Sequence, residues 1–243
     1  MPGISPEISE AIEKDGYAVI ESVADSQTVA ALMDATASPE LANVRQRNRR
    51  QYAVRNLLAI PAVRNWSQSP AVRAIVEPIL SPSARPVRGI LFDKTDGANW
   101  KVAWHQDLSI AVQRRIDVQG FGPWSTKAGV VHVQPPVDVL RRMLTLRLHL
   151  DDCGEDNGPL KVLPGSHAQG VLSDDAIRRC RQETAPASCC GAAGSVVVMR
   201  PLILHASSAA DRPGHRRVVH IEFAAAELPG GLEWDQPAEQ KVT

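Results

Sequence analysis

His105 and Asp107, two residues apart, and a distant His205 supply two imidazoles and one carboxylate. That donor set suits a transition metal such as Fe(II) and leaves open coordination positions for other ligands. In an extended strand, residues two apart project from the same face, roughly 7 Å apart along the chain. His105 and Asp107 could therefore aim at one ion without distorting the backbone. A His-x-Asp tripeptide recurs by chance in many chains, so its weight comes from the elements around it.

Those elements begin with helices. A first helix is expected from Ser5 or Pro6 to about Lys14, and the Asp15-Gly16 turn leads into a short strand, Tyr17-Ala18-Val19-Ile20. A second helix is expected from Asp25 or Ser26 to about Ala37, and a third over 69–80 with Val72, Ile75, Val76 and Ile79 buried. Arg45, Arg47, Arg49 and Arg50 form a basic cluster that reads as a solvated face. From residue 86 the period changes to alternation, giving a strand that ends at Thr95-Asp96-Gly97. Trp100 to Asp107 returns as the next strand and carries the metal candidates.

Residues 111–140 read as a long irregular stretch containing Gly120-Phe121-Gly122-Pro123-Trp124. Segments of that length inside a compact domain are commonly functional lids. A substrate lid is expected here, with Phe121 and Trp124 supplying apolar surface. Leu144, Leu146, Leu148 and Leu150 alternate with Thr145, Arg147 and His149, as in a strand whose polar face lines a wet cavity. A helix over 172–184 with Ser173 as its N-cap follows. Three β-branched runs then end the fold at 194–199, 202–205 and 217–223. Helices first and many short strands afterwards argue for a β sandwich or barrel.

The chain has 243 residues, 44% hydrophobic and 22% charged, with 27 basic and 27 acidic side chains. One undivided domain over 1–243 is expected, helical to about residue 85 and β-rich from about 86 to 225. Balanced charge gives no global attraction to nucleic acid or to an anionic membrane. The N-terminus does not read as a signal peptide and no apolar run approaches a membrane span, so a cytoplasmic setting is expected. Cys153, Cys180, Cys189 and Cys190 lack metal-site spacing and read as reduced thiols.

The pattern resembles the phytanoyl-CoA dioxygenase family. The resemblance rests on Tyr17 after Asp15-Gly16, His105-Gln106-Asp107, Asn157-Gly158-Pro159-Leu160, Pro164-Gly165-Ser166-His167, His205, and Arg216 eleven residues later. It covers about residues 7 to 225. It implies a mainly β fold, a double-stranded β-helix (jelly-roll, cupin-like) core with N-terminal and flanking α-helices. It also implies Fe(II) bound by His105, Asp107 and His205, with 2-oxoglutarate as cosubstrate and O₂ as oxidant. Oxidative decarboxylation to succinate and CO₂ would then drive oxidation, most simply hydroxylation, of a C–H bond in a small-molecule substrate.

The far carboxylate of 2-oxoglutarate calls for a forked cation, and arginine fits better than lysine. On the last strand Arg217, Val219, Ile221 and Phe223 share the apolar face, whereas Arg216 shares its face with His220 and Glu222. Parity and the family interval both select Arg216. Ser207 matches a family position that bonds the same carboxylate, and Gln106 and Lys94 are further cosubstrate-binding candidates. Arg147 departs from the family pattern. A buried arginine requires an anionic partner or several acceptors, so it is expected to read a substrate carboxylate or phosphate, or to help hold 2-oxoglutarate.

Trp100 and Trp104 fit either a core role or a substrate-facing wall, and Trp104 joins Phe121, Trp124 and Arg147 as substrate-binding candidates. His132, His149, His167, His215 and His220 read as structural or solvent-exposed rather than as ligands. Because Asp107 is intact, no halide site on the metal is expected. The alternatives are a catalytically silent jelly-roll sensor, or a cupin-type metal enzyme without 2-oxoglutarate. The complete triad and Arg216 argue against the first, and Arg216 and Ser207 against the second. The substrate and the oligomeric state do not follow from the residues.

Overall fold

A computed structural model describes residues 4–37, 44–47, 50–95 and 97–235. In chain order the elements are α1 (Pro6–Lys14), β1 (Tyr17–Ile20), α2 (Ser26–Thr36), β2 (Val44–Arg47), β3 (Arg50–Arg55), α3 (Pro61–Ser67), α4 (Pro70–Ile79), β4 (Arg85–Lys94) and β5 (Val102–His105). They continue with β6 (Ile110–Val112), β7 (Trp124–Lys127), β8 (Val130–Val133), α5 (Val137–Arg141), β9 (Met143–His149) and β10 (Leu160–Val162). The last five are α6 (Asp174–Glu183), β11 (Ala187–Cys189), β12 (Val196–Met199), β13 (His205–Ser207) and β14 (Arg216–Ala224).

The helices start where the capping residues stand. Ser5, Asp25, Ser69 and Ser173 each accept a backbone N–H three residues on, and α1 and α4 carry Pro at their first positions. A seven-stranded sheet runs β1-β12-β9-β14-β4-β3-β2 and a four-stranded sheet runs β11-β10-β13-β5. All the registered pairs are antiparallel. This is the jelly-roll core. The first 85 residues are less purely helical than expected, because β2 and β3, besides the expected β1, extend the large sheet. The side chains of Arg45, Arg47, Arg49 and Arg50, and residue Asp96, lie outside the described residues.

Alternation along β9 and β14 divides the large sheet into two faces. Leu144, Leu146, Leu148, Val219, Ile221 and Phe223 join Ile12, Leu32, Leu57, Val63, Val72 and Ile75 in one buried cluster under the helices. The opposite face turns Arg147, Arg216 and His220 toward the small sheet, and the space between the sheets is the principal cavity. Leu146→Ala, at a fully buried position, is expected to cost about 2–5 kcal/mol, read from urea unfolding. A cost near zero would mean that the helical layer does not seal this face.

Residues 111–140 are irregular only in part: 113–123 hold no helix or strand, whereas the remainder forms most of a third sheet, β6-β8-β7, followed by α5. The β7–β8 hairpin turns on Ala128 and Gly129, at φ +53° and +80°. A two-residue turn with both φ values positive matches the twist of its strands, but alanine is a rare occupant of the first position and hides the signal. Two expected strands are also shorter than anticipated: β5 stops at His105, and β13 begins at His205 rather than at Leu202. The four cysteines are free thiols. Among the described residues, no helix is long and apolar enough to cross a membrane.

Candidate active site

His105 and His205 face each other across the small sheet, as register partners on β5 and β13. Ser207 pairs with Val102, so two residues of β13 span three of β5. This bulge turns both Val102 and His105 into the cavity. Asp107 lies beyond the end of β5, where its N–H donates to the Pro201 carbonyl at 3.0 Å. The carboxylate thus reaches the imidazoles through a backbone tie outside the strand rather than through strand parity.

The imidazoles are oriented alike. His105 Nδ1 lies 2.8 Å from the Ala103 carbonyl and His205 Nδ1 lies 3.0 Å from that of Ile203. Each contact places the proton on Nδ1 and leaves the Nε2 lone pair for a ligand. The rings sit 4.2 Å apart, centroid to centroid. Asp107 Oδ1 lies 4.0 Å from His105 Nε2, and Oδ2 lies 3.7 Å from His205 Nε2. Burial pushes His205 down to about 4, so its ring is neutral near pH 7. Burial disfavours charge on Asp107, but His205, His220 and Arg88 outweigh it and hold the carboxyl below the usual range.

The three residues fit a metal ion. Their ligand atoms lie within 4.8 Å of one another, and Asp107 Oδ2 is buried without a hydrogen-bond partner. A second cluster, Asp107, His220 and Glu222, meets the same distance limit. Its donors are already engaged. Arg147 Nη1 donates to His220 Nδ1 at 2.9 Å, His220 Nε2 lies 3.2 Å from Glu222 Oε1, and that oxygen also pairs with Arg88. Two guanidinium groups beside a site repel a cation, so of the two clusters the first triad is the better candidate for a metal.

The cavity encloses about 220 Å³ and holds the triad together with Ser207 and Arg216. Arg216 is 4% exposed. One Nη donates to the Gly158 carbonyl, while Nε is buried and unpartnered. A buried forked cation with donors to spare suits the far carboxylate of a bound diacid. Arg217, by contrast, is bound to Asp151 through Nε at 2.9 Å and Nη2 at 2.6 Å. Lys94 stands behind Ser207, donating to its Oγ at 3.0 Å and to the Ser208 carbonyl. Burial and neighbouring Arg216 push Lys94 down to about 7.

Four candidates lie elsewhere. Gln106 Nε2 donates to the Gly170 and Leu202 carbonyls, at 2.7 and 2.6 Å, and its Oε1 accepts from Leu172 N at 2.8 Å. It pins three loops together and has no capacity left for a cosubstrate. Trp104 packs with Leu163, Cys180 and Leu204, because the residue before His105 takes the other face. Phe121 and Trp124 pack on a cluster built around Ile110, Val133 and Leu140, away from the cavity lining. Among the described residues, Trp100 and Phe92 are the aromatics that line it. Arg147 lines the cavity as expected, but its acceptor is neutral His220, and its guanidinium lies 5.6 Å from the Phe92 ring centroid.

The sequence motifs between the ligands act as supports. Gly158 adopts φ +60°, and a Cβ there would stand 2.7 Å from the Ser208 carbonyl. Only glycine lets this loop press against the end of β13 and present its carbonyl to Arg216. Ser166 donates to Leu163 O at 2.7 Å and accepts from Leu204 N at 2.8 Å, fixing the residue before His205. His167 Nε2 lies 3.1 Å from the Glu13 carbonyl, and its ring packs on Gly16. It clamps α1 to the core, a longer reach than a turn-stabilising residue implies.

Two opposed sheets, a histidine–carboxylate triad with free ligand atoms and a buried arginine in one cavity define a jelly-roll oxygenase of the non-haem iron class. The family model described as phytanoyl-CoA dioxygenase matches residues 12–218, and the chain belongs to that family. It is an Fe(II)- and 2-oxoglutarate-dependent oxygenase. Among solved structures, it is similar to AviO1 from Streptomyces viridochromogenes Tue57, at 22% identity and TM-score 0.65, covering 98% of this chain and 100% of that one. EctD from S. alaskensis with 2-oxoglutarate and 5-hydroxyectoine matches at 18% identity and TM-score 0.70, over 92% and 77%. The epimerase SnoN in complex with Fe³⁺, alpha ketoglutarate and nogalamycin RO matches at 20% and 0.67, over 93% and 90%. At such identities the likeness speaks to the fold. No curated protein matches the chain significantly.

Proposed function

We propose that His105, Asp107 and His205 hold the Fe(II), that Arg216 and Ser207 anchor the far carboxylate of 2-oxoglutarate, and that the enzyme hydroxylates a C–H bond of a small cytoplasmic molecule. One observation carries this assignment. Two Nε2 atoms and one carboxylate, free of other hydrogen bonds, open into the same cavity as a buried arginine with an unused Nε. The bound metal, with 2-oxoglutarate and O₂, supplies the oxidant, and succinate and CO₂ leave.

The chain's own residues position and shelter the reactants. Lys94 holds Ser207 beside Arg216, and Gly158 fixes the guanidinium from behind. Arg147 sets the tautomer of His220, which in turn donates to Glu222 and keeps that carboxylate away from the metal. Phe92, Trp100 and Ile90 form the apolar wall against which a substrate C–H bond would rest. A silent sensor has no physical need for a complete triad with free ligand atoms.

Iron-dependent conversion of 2-oxoglutarate to succinate, stimulated by candidate small molecules, tests the reading. No succinate under any iron and ascorbate condition, with 2-oxoglutarate still bound, would favour the silent sensor. Gly158→Ala supplies a finer check. Strain on the order of 1–3 kcal/mol at a left-handed position should weaken 2-oxoglutarate binding more than iron binding in anaerobic calorimetry. Equal losses would mean that Gly158 serves general folding.

A further inference from the structure

The cavity carries more positive charge than the iron and its cosubstrate use. Among the described residues, Arg88, Lys127, Arg147 and Arg216 line it against one lining carboxylate, Asp107, with Glu222 beside Arg88. A divalent metal and a doubly charged cosubstrate cancel each other, so cations remain in excess. Arg216 is assigned to the cosubstrate and Arg147 is engaged by His220, which leaves the side of the cavity built by β4 and β7.

There two cations converge. Arg88 Nη1 donates to the Ser109 carbonyl at 3.2 Å, and Lys127 Nζ donates to the Ser109 hydroxyl at 3.1 Å. Arg55, from β3, lines the same wall. Arg88 has Glu222 as its counterion, but among the described residues no carboxylate forms an ion pair with Lys127. Burial lowers the Lys127 pKa, and Arg88 and Arg55 lower it further, whereas Asp107 and Glu222 act in the opposite sense. The cations here repel one another, and an arriving anion would relieve them.

A second observation points the same way. Arg55, Arg88, Ile90 and Lys127 also line a small adjoining recess, in which His132 is 2% exposed. His132 Nδ1 lies 3.0 Å from the Val130 carbonyl, and its Nε2 is buried with no partner. Burial pushes this imidazole down to about 4, so Nε2 is an acceptor near pH 7. An unsatisfied buried acceptor is destabilising, and a ligand hydroxyl or N–H would satisfy it. Asp235 borders the recess too and offsets only part of the charge.

We propose that Lys127 and Arg88, with Arg55 beside them, form a subsite for an anionic group of the substrate, a phosphate or a carboxylate, and that His132 accepts a hydrogen bond from a neighbouring hydroxyl or N–H. The subsite lies in the metal cavity and deepens the reading above, on which its role in substrate selection rests. Its specificity-determining residue is Lys127, which comes from the third sheet, so that sheet contributes charge to the cavity rather than an apolar lid.

The test is calorimetric titration of the anaerobic Fe(II)- and 2-oxoglutarate-loaded protein with inorganic phosphate and, separately, with acetate. One anion should bind, and the tighter of the two identifies the substrate's group. Lys127→Gln should weaken it at least about tenfold, the loss expected for one charged hydrogen bond, and Lys127→Arg should restore it. The affinity for 2-oxoglutarate should stay unchanged in both variants, which also reports correct folding. In Arg216→Ala the Lys127-dependent anion should still bind, which separates the subsite from the cosubstrate anchor. Failure of 2-oxoglutarate to bind the iron-loaded protein would count against the cosubstrate assignment alone. Failure of both anions to bind, or equal binding by Lys127→Gln, would overturn the subsite.

Discussion

Asp107→Ala is expected to abolish both iron retention and iron-dependent succinate release. The change leaves two imidazoles and removes the one carboxylate that, among the described residues, lies within 4.0 Å of both Nε2 atoms. It also removes a carboxylate that faces Arg88 and His205, which makes that side of the cavity more positive and disfavours a divalent cation further. Iron content after anaerobic loading and desalting reads the first loss, and succinate formation reads the second. Circular dichroism should be unchanged, since Asp107 contributes to the fold chiefly through its backbone N–H. Full iron content with wild-type turnover in Asp107→Ala would remove the carboxylate from the site.

The second large effect separates two adjacent arginines. Arg216→Ala should raise the dissociation constant for 2-oxoglutarate by about 2–5 kcal/mol in free energy, the usual cost of truncating one member of a buried charge pair. Arg217→Ala should leave 2-oxoglutarate binding alone and instead lower stability by breaking the fork to Asp151. That pair is partly exposed, so the stability loss should be modest. Anaerobic calorimetry and urea unfolding on both variants give the four values needed. If Arg217→Ala impairs cosubstrate binding and Arg216→Ala does not, the parity of β14 has been misassigned.

Parity was the most legible feature of the sequence. Four leucines alternating with Thr145, Arg147 and His149 determine which face of β9 meets the helices, and the same count on β14 separates Arg216 from Arg217. Helix starts were legible because Ser5, Asp25, Ser69 and Ser173 are capping residues placed just ahead of apolar periodicity. What stayed hidden depended on contacts distant in sequence. Nothing local to Gln106 shows that its amide is consumed by Gly170, Leu202 and Leu172. The β7–β8 hairpin was missed because Ala128 occupies a position where asparagine or glycine gives the signal. Sequence alone therefore suggests a lid at Phe121 and Trp124, whereas both are partly buried against the cluster around Ile110, Val133 and Leu140. The meeting of Arg88 and Lys127 at Ser109 joins positions on β4 and β7, which only the fold brings together.

The most direct test of the central claim is anomalous diffraction at the iron edge from crystals grown anaerobically with Fe(II) and 2-oxoglutarate. One iron peak is expected within bonding distance of His105 Nε2, His205 Nε2 and the Asp107 carboxylate, with the far carboxylate of 2-oxoglutarate on Arg216 and Ser207. Iron held instead by Asp107, His220 and Glu222, or 2-oxoglutarate bound away from Arg216, would overturn the proposed site.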